Sequence, residues 1–166
     1  MNLKASNHFF LHPSAIFISK DPTWVTTVLG SCVAVCFFDT KRKFGGINHF
    51  MMPYWNGFGL ESPKYGNVAI EQLFMKMLDF GAEKEDIVCK IFGGSEMLAP
   101  NNSVFNVGKR NIELAFRVVD ELGILVANSS TGGKQGRKIH FNTETGEVLQ
   151  KYLVKGNLSE ANDRKN

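Results

Sequence analysis

Residues 28–52 read VLGSCVAVCFFDTKRKFGGINHFMM and contain two strand-like runs joined by a polar turn. The runs 33–39 and 46–52 are rich in Val, Ile and Phe, a composition typical of buried strands. The polar residues 40–43 between them favour a chain reversal. This stretch therefore predicts a β-hairpin at the centre of the fold.

The hairpin places one cysteine near one histidine. If its centre lies between Thr40 and Lys41, Cys32 faces His49 directly, and directly paired Cβ atoms lie about 4.5–5.5 Å apart. A shift of one full residue makes the pair diagonal on the same face, and a half-residue shift puts the two on opposite faces. The spacing permits a Cys–His pair and leaves its geometry open.

A Cys–His pair suits nucleophilic catalysis. A free thiol has a pKa of about 8.5, so little thiolate exists at neutral pH. A neighbouring imidazole can take the proton and leave an ion pair. The sequence thus offers Cys32 as nucleophile and His49 as general base and acid, with Thr26 or Thr27 able to orient the imidazole.

The residues before the cysteine suit an oxyanion site. Gly30 allows a tight turn and the close approach of a substrate carbonyl. The backbone N–H groups near Ser31 and Cys32 would then bind the developing oxyanion. Gly30 and Ser31 are therefore candidate supporting residues.

Structural interpretations compete with the catalytic one. Cysteine is often simply a small buried hydrophobic residue, and we expect Cys36 and Cys89 to be core residues. Cys36 follows Cys32 by four positions, but no second ligand set has zinc spacing, so no metal is expected. His140 is expected to be a backbone-bonded strand histidine or a support for the site.

The remaining pattern predicts an α+β fold with mostly antiparallel sheet and two helices. Further strands are predicted at 15–19, 25–29, 87–92, 124–129, 138–142 and 147–154. Short connections among the first four strands favour hairpins. Helical spacing links Ile70, Leu73, Phe74 and Met77, with Asn67 as N-cap and Gly81 as stop, and links Ile112, Ala115, Phe116 and Val119 before Gly123.

Composition narrows the class of protein. The chain has 166 residues, 43% hydrophobic and 21% charged, which is typical of one globular domain, predicted over 1–158 with a polar tail at 159–166. The net charge of +3 is too small to indicate nucleic-acid binding. A glycine-rich basic loop at 132–138 lacks phosphate-loop spacing. No apolar run is long enough to span a bilayer, and three cysteines without a secretory signal favour the cytoplasm.

The chain resembles the CheD family from about residue 16 to 154. The matching motifs are LGSCVAVC (29–36), GGINHFMMP (45–53), YGNVA (65–69), KIFGG (90–94), NVGKRN (106–111) and GGKQGRKIHFNT (132–143). The resemblance implies a β-sandwich-like α+β core. It also implies hydrolysis of glutamine side-chain amides on chemoreceptors, without a cofactor.

In that family the catalytic cysteine, histidine and threonine correspond to Cys32, His49 and Thr26. The partners implied are the receptor's cytoplasmic helical domain and, in some bacteria, a CheC-type phosphatase. A non-catalytic regulatory module that binds such a phosphatase is the main alternative function. A third possible function is that of another type of cysteine hydrolase, although no papain-like pattern of downstream residues is present.

Overall fold

The protein, seen in a computed structural model, is described over residues 7–96 and 106–154. The predicted tail at 159–166 lies outside the described residues. The described strands are β1 (Asn7–Phe10), β2 (Ile16–Ser19), β3 (Thr23–Leu29), β4 (Val33–Asp39), β5 (Phe44–Asn48), β6 (Ile87–Gly93), β7 (Leu125–Thr131), β8 (Arg137–Asn142) and β9 (Val148–Tyr152). The α-helices are α1 (Gly66–Asp79) and α2 (Val107–Glu121).

The strands form two sheets, in the orders β1-β3-β8-β9 and β2-β5-β4-β6-β7. Among the nine described strands, the parallel pairs are β1–β3 and β6–β7. Both helices contact the five-stranded sheet, α1 over β2, β4 and β5 and α2 over β4, β6 and β7. This arrangement confirms the predicted α+β fold, with mostly antiparallel sheet in a sandwich and two helices packed on it.

Strand β4 is the middle of the molecule. All seven of its residues are buried, because the helices cover one face and the four-stranded sheet covers the other. Val33, Val35 and Phe37 pack in the layer beneath the helices. Ala34 and Cys36 pack in the layer between the sheets.

The hairpin expectation holds for β4 and β5, which pair antiparallel, but it is wrong for the steps β2–β3 and β3–β4. Strand β3 belongs to the other sheet, where it pairs with β1 and β8. Residues 30–32 therefore cross from one sheet to the other. The carbonyls of this crossing bond to residues 94, 95 and 111 and not to a neighbouring strand.

Strand β1 and the start of helix α1 differ from the predictions, and β5 covers Phe44–Asn48 instead of the predicted 46–52. Strand β1 was not predicted, because all four of its side chains are exposed and give no inward periodicity. Helix α1 begins after Tyr65, so Asn67 is not the N-cap. The Asn67 side chain instead accepts a hydrogen bond from the Trp55 amide at 2.9 Å. The predicted stops are confirmed, since Gly81 and Gly123 follow the helix ends with φ of +104° and +73°.

The buried face of α2 is rotated from the predicted stripe. Ala115 and Val119 are buried as predicted, whereas Ile112 and Phe116 are only partly buried. The buried face also includes Asn111 and Leu114. A polar side chain thus lies on the inner face of this helix.

Candidate active site

The register of the central hairpin decides how Cys32 and His49 meet. Cys36 pairs with Ile47, and an isolated bridge pairs Val33 with Phe50. Continuing this register places Cys32 opposite Met51 and diagonal to His49. Direct pairing is therefore wrong, and the one-residue shift applies. Diagonal neighbours on one face lie about 7 Å apart, within reach of a substrate atom between them.

Alternation along the strands points both residues into the layer between the sheets. Cys32 packs against the core cluster that contains Ala34 and Cys36. His49 is 2% exposed, and its backbone is fixed by Ser14 and Ala15, through bonds of 2.8 and 3.3 Å. Cys32 is half-buried. The thiol is thus the more accessible member of the pair.

Thr27 fixes the orientation of the His49 ring. The His49 Nδ1 lies 2.7 Å from the Thr27 hydroxyl oxygen. The same hydroxyl donates to the Leu11 carbonyl oxygen at 2.8 Å. Because a hydroxyl carries one proton and a carbonyl cannot donate, Thr27 must accept from Nδ1–H. The proton of neutral His49 therefore lies on Nδ1.

This tautomer leaves the Nε2 lone pair of His49 available as a base. Nε2 is buried and has no hydrogen-bond partner in the described part of the chain. Burial lowers the pKa of His49 to about 4, so the imidazole is neutral at physiological pH. Neutral His49 therefore presents a free Nε2 lone pair that can accept a proton, as a general base must.

Thr26, which the family resemblance implied as the residue that orients His49, bonds a different histidine in this structure. The Thr26 hydroxyl lies 2.7 Å from Nδ1 of His140, its partner across β3 and β8. The reason is strand alternation, since Val25, Thr27 and Leu29 share the inner face. The sequence left the choice between the two threonines open, because it does not show which face of β3 is buried. His140 consequently bonds to a side chain.

The turn that carries the nucleophile presents its carbonyls to one side. The Gly30 carbonyl oxygen accepts from the Ser95 amide and hydroxyl, both at 2.9 Å. The Ser31 carbonyl accepts from Asn111 Nδ2 at 3.0 Å, and the Cys32 carbonyl from the Gly94 amide at 2.8 Å. The amides of residues 31 and 32 donate to no other described residue. Two backbone donors are thus available beside the thiol.

The resting pair is a neutral thiol and a neutral imidazole. Burial raises the pKa of the Cys32 thiol, an effect only partly opposed by its own backbone amide. The low pKa of His49 also disfavours imidazolium. The preformed ion pair that the sequence suggested is therefore not favoured, and the proton would move as the sulfur attacks.

Sequence reasoning missed Ser95 and Asn111 as neighbours of the site. Both are fully buried. Gly93 and Gly94 have φ of +106° and +73°, and a Cβ on Gly93 would lie 2.3 Å from the Cys32 carbonyl oxygen. The glycine pair therefore lets β6 end against the nucleophile turn. A polar residue on the inner face of α2 was the available signal for Asn111.

The other candidates lie away from this site. Cys36 and Cys89 are buried, and burial raises the pKa of each thiol. Arg137 was expected in a glycine-rich basic loop, but it begins β8 and is 1% exposed. The carbonyls of Ser130 and Gly132 bind its guanidinium. Among residues 7–96 and 106–154, no group of three His, Cys, Asp or Glu side chains is placed to hold a metal ion. No helix there is long and apolar enough to cross a membrane.

Comparison with known proteins places the chain among chemotaxis proteins. A family described as CheD chemotactic sensory transduction matches residues 51–152, more than half of the chain. This match begins two residues after His49 and so does not include Cys32 or His49.

Curated relatives match over most of the chain. A protein of Trichlorobacter lovleyi, named probable chemoreceptor glutamine deamidase CheD, is 48% identical over 141 residues, 85% of this chain and 88% of its own length. A Sulfurimonas denitrificans protein of the same name is 43% identical, covering 88% and 94%. A Methanococcus maripaludis protein, also of that name, is 37% identical, covering 81% and 88%. These matches show that the chain belongs to the CheD family.

Proposed function

We propose that this protein is a chemoreceptor glutamine deamidase that hydrolyses glutamine side-chain amides to glutamate and ammonia. Cys32 is the nucleophile, His49 the general base and acid, and Thr27 the residue that orients His49. The observation that carries the proposal is the hydrogen-bond chain from Nδ1 through Thr27 to Leu11. It fixes the tautomer and leaves Nε2 free on the face that Cys32 shares.

The first half-reaction forms a thioester. His49 Nε2 takes the proton of Cys32 as the sulfur attacks the amide carbon, and the C=O bond opens to an oxyanion. The amides of Ser31 and Cys32 donate to that oxygen. When the carbonyl re-forms, the C–N bond breaks, and the proton on Nε2 goes to the leaving nitrogen, which departs as ammonia.

The second half-reaction returns the free enzyme. Nε2 takes a proton from water as the water oxygen attacks the thioester carbon. The same amides bind the second oxyanion. The C–S bond then breaks, the sulfur recovers its proton from Nε2, and the product is a glutamate side chain. No metal or cofactor takes part in this scheme.

An exposed apolar segment that follows His49 in the sequence supports docking of a receptor helix. Tyr54 is 44%, Phe58 83% and Leu60 90% exposed. The Trp55 indole N–H donates to the Phe58 carbonyl at 3.0 Å, which orders the segment. Apolar side chains on an ordered loop suit the apolar face of a helix.

The three free cysteines suit a reducing compartment, so we place the reaction in the cytoplasm.

The test is ammonia release from a receptor cytoplasmic fragment. Wild type should release ammonia and convert a receptor glutamine to glutamate, detected by peptide mass. Cys32→Ala should release none while keeping the wild-type circular dichroism spectrum. Cys36→Ala is the matched control, because it removes a buried thiol from the same strand face and should keep activity.

Two results would contradict the proposal. Activity in Cys32→Ala would exclude the nucleophile. No ammonia from wild type, with receptor or a CheC-type phosphatase still bound, would favour the non-catalytic regulatory module.

A further inference from the structure

The nucleophile turn contains two peptide planes that carry the Ser31 and Cys32 amides. The Gly30 carbonyl and the Ser31 N–H share one plane, and the Ser31 carbonyl and the Cys32 N–H share the next. In a planar trans peptide the C=O and N–H point in opposite directions. Whatever holds these two carbonyls therefore also sets the direction of the two N–H groups.

The first plane is held by Ser95. Its backbone amide and its hydroxyl both donate to the Gly30 carbonyl oxygen at 2.9 Å. Ser95 is fully buried. The Ser31 N–H is consequently turned away from the end of β6.

The second plane is held by Asn111 from helix α2. Its Nδ2 donates to the Ser31 carbonyl at 3.0 Å and to the Met51 carbonyl at 3.0 Å. Met51 lies two residues after His49. One buried side-chain amide thus ties the nucleophile turn to the segment that carries the base.

The cost of this arrangement argues against a packing role for Asn111. Its Oδ1 is buried and has no hydrogen-bond partner within the described residues. Leaving a buried acceptor without a hydrogen bond is energetically costly. A residue that only filled space on the inner face of α2 would avoid that cost.

We propose that Asn111, assisted by Ser95, is a positioning residue that aims the Ser31 and Cys32 amides at the oxyanion. The proposal rests on the deamidase function proposed above. Asn111 touches neither substrate nor sulfur and acts through the peptide plane between Ser31 and Cys32. Its removal should slow the steps that pass through an oxyanion far more than it slows reactions of the thiol alone.

Two reactions of the same thiol separate these effects. Deamidation forms an oxyanion, whereas alkylation by iodoacetamide forms an S–C bond and expels iodide without one. In Asn111→Ala, kcat for ammonia release should fall about tenfold to a hundredfold. KM should remain that of wild type, and the alkylation rate of Cys32 should fall much less than kcat, because its own backbone amide only partly opposes the effect of burial on the thiol pKa.

Graded and matched variants complete the experiment. Ser95→Ala should lower kcat less, because the Ser95 amide still holds the Gly30 carbonyl. Asn142→Ala removes another buried asparagine, which accepts from the amides of Glu144 and Thr145 far from the site. It should lower the melting temperature and leave kcat unchanged.

The outcomes are distinct. Unchanged kcat in Asn111→Ala, or an alkylation rate that falls as much as kcat, overturns the positioning role. If Asn111→Ala does not fold, Ser95→Ala decides, with a kcat loss that exceeds the loss of alkylation rate supporting the role and unchanged kcat overturning it. A wild type that releases no ammonia overturns the deamidase function itself, and this role with it.

Discussion

At the scale of single residues, the proposed chemistry depends on one hydroxyl. Thr27 accepts from His49 because it already donates to the Leu11 carbonyl. Without that arrangement, the proton of the imidazole could occupy Nε2 and remove the base. The adjacent Thr26 makes a hydrogen bond of equal length to a different histidine. The two neighbours therefore form a natural pair for comparison.

Thr27→Val should lower kcat more than Thr26→Val does. Valine keeps the shape but cannot accept from Nδ1–H, and an unpaired buried polar group costs about 1–3 kcal/mol. That range corresponds to about a fivefold to hundredfold loss of kcat, whereas Thr26→Val should stay within about twofold. Steady-state ammonia release measures both, and Thr27→Ser should restore activity. A larger loss in Thr26→Val would return the orienting role to Thr26.

The buried His49 also predicts how stability changes with pH. Its pKa is about 4 in the folded protein and 6.5 when unperturbed, so between these values the unfolded chain binds more protons. Stability from this residue is therefore present above about pH 6.5 and is lost as pH falls toward 4, by about 3 kcal/mol. Urea unfolding at pH 7 and 4.5 should show a smaller pH dependence in His49→Gln. Equal dependence in both proteins would mean that His49 is not buried as a neutral base.

At the scale of elements, helix α2 must approach the end of β6 closely. A Cβ on Gly108 would lie 2.6 Å from the Gly94 carbonyl oxygen and 2.7 Å from that of Ser95. These are backbone atoms next to the groups that hold the nucleophile turn. A glycine at this helix position therefore sets the distance between Asn111 and Ser31.

Gly108→Ala should impair both stability and catalysis. Overpacking costs about 1–3 kcal/mol, which exceeds the gain of about 1 kcal/mol in helix propensity. Gly146→Ala in the turn between β8 and β9 is the control, since its Cβ would meet the Phe38 side chain at 2.7 Å and no residue of α2. Thermal melting should show a loss in both variants. Only Gly108→Ala should lower kcat. An equal kcat in the two variants would mean that the position of α2 does not affect catalysis.

The elements also show what a sequence can reveal. Strands such as β4 and the glycine stops of both helices are encoded by local composition, and they were predicted. The crossing between the sheets at 30–32 was not predicted, because it depends on hydrogen bonds to residues more than 60 positions away. Thr27 could be distinguished from Thr26 only by knowing which face of β3 is buried. To predict that Asn111 faces inward, one would have to know how α2 is rotated about its own axis.

At the scale of the whole molecule, Arg137 links the two sheets. It lies in β8 of one sheet, and its guanidinium binds the Ser130 carbonyl of β7 in the other at 2.7 Å. The guanidinium also lies over the Tyr152 ring, 5.2 Å from its centroid. The ion pairs among the described residues do not include Arg137. Carbonyl oxygens and an aromatic face therefore stabilise this buried charge.

Arg137→Ala should destabilise the fold by about 3 kcal/mol, because two charged hydrogen bonds to carbonyls are lost. Arg137→Lys should recover only part of the lost stability, since an ammonium cannot reproduce the planar arrangement of donors on a guanidinium. The free energy of unfolding in urea measures this, with the exposed Lys134→Ala as control. A loss in Arg137→Ala no larger than in Lys134→Ala would contradict the linking role.

The central claim is that Cys32 carries the substrate as a thioester, and trapping that intermediate tests it most directly. A receptor peptide with one reactive glutamine would be mixed with the enzyme, quenched in acid during turnover and mapped by mass spectrometry. We expect Cys32 to carry the peptide minus one ammonia, in an adduct that hydroxylamine releases and that Cys36→Ala retains. Ammonia release with no adduct on Cys32, or an adduct on another residue, would contradict the account.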